Sequence, residues 1–439
     1  MAAGRTPNRT LWTVVALCGL SVAFDGYDLV VFGTTVPSLL AEWQIGPAEA
    51  GRIGSYALIG MLIGALLIGT VTDWLGRRWT MIACVTWFSA LTALCALAPS
   101  PEIFGLLRFL SGIGLGGLMP TAAALVVEYA PRGKQNVTYT IMQSGYAVGG
   151  ILAASLAIPL IPAVGWQTMY LIGAAPVLII IPLALRYLPE SLEYLVLRGE
   201  TAKAEALAAK LGVAVPEVAR PEKRSWYSSI RELARPGFRA GTVLLWLASL
   251  CALLMVYGMN TWLPQIMRQA DFPLGSALSF LLVFNVGSII GSIIGGRAAD
   301  RVGSKPVLVI SFLLAAVSIA TLAVRPSVAT IYVLVAIAGY GTIGTQNLIN
   351  AFVTRYYPVT ARSTGIGWAL GVGRFGAILG PVVGGLVIAS GAGFQWNFYM
   401  FAAVAVVGLL AASLVPLSPA LAGERLREAI NPELKERTA

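Results

Sequence analysis

Asp25 and Asp28 stand inside the first apolar run of the chain, in Phe24-Asp25-Gly26-Tyr27-Asp28. A charge at the centre of a bilayer costs about 2.5 to 3.5 kcal/mol on insertion scales, so two in one span call for a use. On a helix this spacing puts both carboxylates on one face, with Phe32 one turn further along. That face must look into a cavity. Two close carboxylates in a low-dielectric site resist ionising together, so one of them takes up a proton readily. Either aspartate suits a proton site, and the alternative is a structural ion pair with an arginine that serves assembly. The sequence contains no histidine, so proton chemistry here falls to carboxylates.

Two arginines also lie within apolar runs. Arg108 comes early in the fourth run, whereas Asp25 and Asp28 lie past the middle of the first. If these spans run in opposite directions, the depths match. Arg108 is then the natural partner of the aspartates, and protonating the acid frees it. Arg374 sits in the middle of a later run with no acidic residue near it in sequence. A guanidinium grips a carboxylate through two parallel hydrogen bonds, so Arg374 suits an anionic substrate. Tyr146, Asn260, Tyr340 and Gln346 lie within or near the ends of runs able to line a cavity, as do Tyr257, Trp262, Asn285 and Asn347. Aromatic faces suit a ring and amides suit a ring hydroxyl, though each such residue equally suits packing or interface anchoring.

The elements that position these residues follow from composition. With 57% hydrophobic and 11% charged residues in 439, and a mean hydropathy of +0.79, the chain has too little polar surface to coat a soluble globule. It reads as an all-α polytopic membrane protein. A span needs about 20 apolar residues. Six runs lie near residues 12–40, 53–71, 79–98, 103–127, 137–158 and 167–188. Six more lie near 241–264, 276–297, 306–324, 328–352, 364–389 and 396–416. The domains are therefore an N-terminal six-helix bundle over 1–188, a linker over 189–240, a C-terminal bundle over 241–416 and a tail over 417–439. Amphipathic periodicity marks Tyr194 to Leu211, and a second short helix is expected near Trp226 to Ala234. The first run is longer than a signal-peptide core and reads as retained. Cys18, Cys84, Cys95 and Cys251 all lie in apolar runs without metal-ligand spacing and read as small buried hydrophobes.

Basic residues orient the spans, because Lys and Arg stay on the cytoplasmic side. Arg77 and Arg78, Arg132 and Lys134, the linker, Arg301 and Lys305, and Arg355 and Arg362 fall in alternate connections. Both termini are thus expected in the cytoplasm of a cell holding this chain in its plasma membrane. The net charge of +10 is then a topology signal, with no need for a nucleic-acid partner.

The two halves repeat. A shift of 227 residues carries Gly69, Asp73 and Gly76 onto Gly296, Asp300 and Gly303, Gly112 onto Gly339, Tyr129 onto Tyr356, and Pro131 onto Pro358. Parallel repeats are a transporter hallmark and place substrate between the halves near mid-membrane. Glu128, Arg132, Asp73, Arg77, Arg78, Asp300, Arg301 and Arg362 crowd the cytoplasmic ends, where charge networks lock one state and break as the halves rock. The alternative is topology retention, preferred for Arg78 and Lys134. Glycines within the spans, such as Gly112, Gly114, Gly116, Gly145 and Gly149, suit close helix contact. Gly112-Ile-Gly114-Leu-Gly116 has no preceding strand, which argues against a nucleotide loop.

Gly69-Thr-Val-Thr-Asp73-Trp-Leu-Gly76-Arg77-Arg78 resembles the signature loop of the major facilitator superfamily. Arg108-Phe-Leu-Ser-Gly112-Ile-Gly114-Leu-Gly116-Gly117 resembles its fourth-span motif, and Pro189-Glu190-Ser191 the sequence after its sixth span. Asp25-Gly-Tyr-Asp28, continuing through Gly33 to Pro37, is similar to the first span of the aromatic acid:proton symporters, and Arg362 and Arg374 fall where that family keeps paired arginines. The resemblance covers essentially the whole chain. Two features depart from it: Gly303-Ser304-Lys305 replaces the Gly-Arg-Arg of the first copy, and the histidine of some members has no counterpart.

The resemblance implies a major facilitator fold, places Asp73 and Arg77 in the inter-domain hinge with Glu190 beside them, and implies proton-coupled import of small aromatic carboxylates such as benzoate or hydroxybenzoate. In this reading Asp25 and Asp28 carry the proton, and Arg108, Arg374, Tyr146, Phe32, Asn260, Tyr340 and Gln346 hold the substrate. Asp73, Arg77, Glu128, Arg132, Asp300, Arg301 and Arg362 gate. No cofactor or metal is expected, since the proton gradient drives the cycle. The partners are the substrate, the proton and the bilayer, and the chain is read as a monomer. The alternatives are a carrier of another organic anion and an exporter. An intramembrane enzyme would need a nucleophile–base or metal constellation that the spans lack, and a receptor would bind ligand without net flux.

Overall fold

The computed structural model describes residues 8–130, 135–211, 233–358 and 361–416. The described residues form helices and short connections, with no strand among them. Twelve of the helices are long and apolar enough to cross a membrane, as the apolar runs require.

The first half holds α1 (Asn8–Trp43), α2 (Pro47–Leu75), α3 (Arg77–Cys95), α4 (Pro101–Tyr129) and α5 (Gln135–Val164). Its sixth span is broken into α6 (Gln167–Ile172) and α7 (Ala175–Tyr187), where the sequence reads as one run. Gly173 and Pro176 account for the break. Proline lacks the N–H that would continue the ladder, and its ring crowds the carbonyl a turn earlier. A methyl on Gly173 would lie 2.5 Å from the Thr92 methyl, so the bend lets the sixth span press against α3. Pro37, Pro120, Pro159 and Pro162 by contrast sit inside unbroken helices.

The amphipathic stretch after the sixth span is two helices, α8 (Leu192–Leu197) and α9 (Thr201–Leu211), parted by Gly199 at φ +74°. Ser191 caps α8 by accepting from the Tyr194 N–H at 3.1 Å. Most of the short helix expected near 226–234 lies outside the described residues, as do Arg132 and the tail over 417–439.

The second half contributes spans at Arg239–Gln269, Leu274–Val302, Ser304–Leu322, Val328–Tyr356, Thr364–Ala389 and Gln395–Leu414. The tenth is interrupted by a π turn over Tyr340–Gly344. The internal repeat is visible in lengths and angles. The second and eighth spans are 29-residue helices, and the third and ninth are 19-residue helices. Gly76 and Gly303, which join them, both take φ +93°, a conformation that glycine adopts without a side-chain clash.

By compactness the chain divides into two units. One comprises Met1–Arg220 with Asn260–Asn285, the other Pro221–Met259 with Val286–Ala439. The seventh and eighth spans therefore contribute to both. In the first unit α1 packs along α5 so closely that a methyl on Gly26 would collide with the Tyr146 carbonyl, and one on Gly149 with the Ala23 carbonyl. This is the small-residue contact by which helices approach in a membrane.

Candidate substrate and proton site

Of the two aspartates in α1, Asp28 carries the ion pair to Arg108. Its Oδ2 lies 2.5 Å from Arg108 Nη1, and the same nitrogen donates to the Asp28 main-chain carbonyl at 3.2 Å. Thr92 in α3 donates from Oγ1 to Asp28 Oδ1 at 2.7 Å and lies 3.2 Å from the Ser111 hydroxyl of α4. Three helices thus converge on one carboxylate. Asp28 and Arg108 are each 1% exposed. Buried charges survive only when paired and hydrogen-bonded, and both carboxylate oxygens here meet donors. The guanidinium is less fully used, because Arg108 Nε is buried with no hydrogen-bond partner among the described residues. Asp25 is equally buried, one turn earlier on α1.

Phe32 completes the i, i+4 step from Asp28, with its ring centroid 5.5 Å from the Arg108 guanidinium carbon. From there aromatic rings continue. Phe104 lies 6.3 Å from Phe32 and 5.2 Å from Tyr170, the latter pair edge-on at 85°. Trp166 and Trp43 close the cluster, 5.9 Å and 5.3 Å from Phe104. The Trp166 indole N–H donates to Glu42 at 2.6 Å. The Tyr170 hydroxyl meets Thr35 Oγ1 at 3.1 Å.

The other expected substrate residues fall in two groups. Asn260 belongs to the first unit, where its side-chain oxygen accepts from Asn285 at 3.4 Å. Tyr146 is on α5 where that helix meets Gly26. Gln346, in the second unit, donates to Asn350 at 3.1 Å and to Ser249 at 3.4 Å. A methyl on Gly373, the neighbour of Arg374, would lie 2.6 Å from that same Ser249 hydroxyl, so the helix bearing Arg374 is apposed to the Ser249 helix. Tyr340 places its hydroxyl 2.5 Å from Ser311, and its ring packs on Gly291, Gly295 and Gly344.

Among the expected gate residues, Arg77 faces Glu193 at 3.6 Å, and Glu128 accepts from the Glu193 main-chain N–H at 3.0 Å. Glu190 accepts from the N–H of Arg78 at 3.1 Å, and its own carbonyl accepts from the Tyr129 hydroxyl at 2.6 Å. Arg78, read from sequence as a topology charge, also donates from its side chain to the Leu185 carbonyl at 2.5 Å. Asp300 pairs with Arg355 at 3.2 Å on the exposed surface, and Arg301 and Arg362 are exposed. Asp73 lies in the last turn of α2.

Residues 18–293 and 277–436 match the profile of the Major Facilitator Superfamily. The chain belongs to the major facilitator superfamily. It is 38% identical to a benzoate transport protein of Acinetobacter baylyi over 92% of this chain and 89% of that protein. It is also 38% identical to a gentisate transporter of Corynebacterium glutamicum, over 90% and 85%, and 35% identical to a 4-hydroxybenzoate transporter of Pseudomonas putida, over 93% and 94%. An inward-open xylose transporter of E. coli shares the fold at a TM-score of 0.74 and 17% identity, over 93% of this chain and 97% of that one. This member of the superfamily is a multi-pass membrane transporter and not an enzyme.

Sequence reasoning missed Thr92, Ser111, Thr35 and the rings of Trp43, Phe104, Trp166 and Tyr170 in this major facilitator protein. A signal was present: Phe104 and Arg108 are an i, i+4 pair on α4, and Trp166, the residue before α6, stands four positions from Tyr170.

Proposed function

We propose that the chain is a proton-coupled importer of small aromatic carboxylates, of the benzoate or hydroxybenzoate kind, working by alternating access with both termini in the cytoplasm and the proton gradient as its only drive. The substrate class rests on the relatives, which are named for benzoate, gentisate and 4-hydroxybenzoate. The observation that carries the coupling is the buried Asp28–Arg108 pair with its unpartnered Nε.

The chemistry is an exchange of counterions. A substrate carboxylate takes the guanidinium through two parallel hydrogen bonds, Nε supplying one of them. Asp28 then loses its cation, and a buried carboxylate without a cation is far more costly than a neutral acid. It takes up a proton. The reverse holds as well: protonating Asp28 first releases Arg108 for the anion. Proton and substrate therefore favour each other's binding by the same factor. One proton with one monoanion moves no net charge, and Asp25 offers a second proton site that would let the membrane potential contribute. Arg374, in the eleventh span, is the second cation that this reading offers to the substrate carboxylate.

The test is uptake of labelled benzoate and 4-hydroxybenzoate into proteoliposomes under an imposed inward proton gradient. Accumulation that a protonophore abolishes is the expected result. No accumulation of any aromatic acid ends the proposal.

A further inference from the structure

Resting on that transport reading, we infer that the cleft between the outer ends of the first and seventh spans is a capture site for the substrate anion, in which Arg268 takes the carboxylate before the inner site is reached. Its walls are repeat mates. The 227-residue offset carries Ser38 onto Gln265, Ala41 onto Arg268 and Gln44 onto Asp271. Gln44 and Asp271 stand just past the ends of their spans, both in left-handed backbone at φ 52° and 65°, so the two walls stop at matching positions. Both stretches belong to the first compact unit.

At the floor of the cleft the two spans touch. A methyl on Gly33 would collide with the main-chain carbonyl of Asn260, its own mate at the same offset. Beyond that contact they part, and a cleft of about 530 Å³ opens, lined on its polar side by Ser38, Gln265, Arg268 and Gln269 and on its apolar side by Leu40 and Leu274. That volume suits a small organic ligand. Ala41, Arg268 and Gln269 are exposed, so a ligand enters without displacing packed side chains. At 1.5 Å per residue, Arg268 stands about 12 Å outward of Asn260 along the axis, and Asp28 about 7.5 Å inward of Gly33. The Gly33–Asn260 contact thus separates two cationic stations, Arg268 outside it and Arg108 within.

Charge selects the ligand. Arg268 is the single charged residue of the lining, and no carboxylate lines the cleft beside it. Glu42, at the same end of α1, is held by the Trp166 indole at 2.6 Å and the Gln167 amide at 3.5 Å. Asp271, three residues past Arg268, lies outside the lining. Arg268 Nη1 donates to the Phe272 carbonyl at 3.3 Å, which tethers the guanidinium to the following turn and leaves most of its five N–H groups for an anion. Its repeat mate Ala41 is only a methyl, which leaves the room that a ligand needs. Topology does not call for an arginine here, because basic residues retain loops on the cytoplasmic side and Arg268 stands at the opposite face in the orientation proposed above. A lone cation in a cleft instead raises the local concentration of anions and their rate of arrival.

The test has two arms, both with benzoate and proteoliposomes. In the first, Arg268→Gln should raise the half-saturation concentration for uptake about tenfold, the lower end of what a charged cleft adds to capture, and leave the maximal rate at the parent value. Arg268→Lys should stay near the parent, and in the parent the same concentration should climb as salt is raised. In the second, Ala41→Cys is labelled from outside with a membrane-impermeant maleimide, the four native cysteines being buried. Saturating benzoate should slow that labelling severalfold, and should cease to do so once Arg268→Gln is added. A half-saturation concentration that Arg268→Gln leaves unchanged, or protection of Ala41→Cys that persists without the arginine, overturns the capture site while leaving the transport function intact. No uptake of any aromatic acid by the parent overturns both.

Discussion

A single nitrogen of Arg108, Nη1, reaches both the side chain and the main chain of Asp28, at 2.5 Å and 3.2 Å. Asp28 thus anchors the guanidinium through one side-chain oxygen and one main-chain oxygen. A neutral side chain at position 28 would remove the ionic contact and leave the main-chain one in place.

Asp28→Asn should uncouple transport from the proton gradient. Asparagine keeps an oxygen for Arg108 or Thr92 but carries no titratable proton. Gradient-driven accumulation is expected to fall at least about tenfold, while substrate counterflow without a gradient persists. In the parent, the half-saturation concentration should drop as pH falls, because proton and substrate promote each other's binding; in Asp28→Asn that slope should vanish. Gradient-driven uptake at the parent level by a folded Asp28→Asn would move the proton to Asp25.

Removing one charge and removing both should differ in the size of their effect on folding. Arg108→Leu strands a carboxylate that is 1% exposed, at a cost of about 3–5 kcal/mol. Asp28→Leu combined with Arg108→Leu should recover most of that stability and still fail to transport. Thermal unfolding in detergent, alongside uptake, separates the two roles.

Gly76 and Gly303 share φ +93°, but their surroundings differ. A methyl at Gly76 would come within 2.6 Å of Glu190 Oε2, whereas one at Gly303 meets only Pro306 Cδ at 3.9 Å. Gly303→Ala should therefore show the backbone strain alone, about 1–3 kcal/mol, and Gly76→Ala more. Melting temperatures of the two variants should rank in that order, with Glu190→Ala relieving part of the Gly76→Ala defect. Equal losses would mean that Glu190 does not hold the first loop.

Gly19 and Gly26 offer a second contrast within α1. A methyl at Gly26 collides with the Tyr146 carbonyl, but at Gly19 the nearest atoms are 3.7 Å away in Met142. Gly26→Ala should cost folded yield severalfold, measured as monodisperse protein after extraction, while Gly19→Ala stays near the parent.

Much of this architecture is legible in the residues themselves. The twelve spans follow from apolar length, and the repeat from a constant offset that recurs in the paired turns at Gly76 and Gly303. Pairing of Arg108 with the first-span acids follows from matched depth. The choice of Asp28 over Asp25 does not, because an i, i+3 pair shares one face and only the packing of α3 and α4 selects between them. Thr92, Thr35 and Tyr170 escaped notice for a similar reason: a single hydroxyl in an apolar span reads alike whether it faces lipid, a neighbouring helix or a site. The break of the sixth span at Gly173 was hidden too, since prolines in α1, α4 and α5 leave their helices whole.

The π turn over Tyr340–Gly344 has a geometric consequence for the repeat. The fourth and tenth spans are both 29 residues long, yet the tenth holds one wide turn. A π turn takes up one extra residue, so everything after Gly344 is rotated by about 100° relative to an unbroken helix. Gln346 and Asn350 thus face where the fourth-span residues at the 227 offset do not. The two halves are copies in sequence register, but beyond the wide turn the tenth span presents Gln346 and Asn350 at an azimuth that Met119 and Ala123, their counterparts at the 227 offset, do not take.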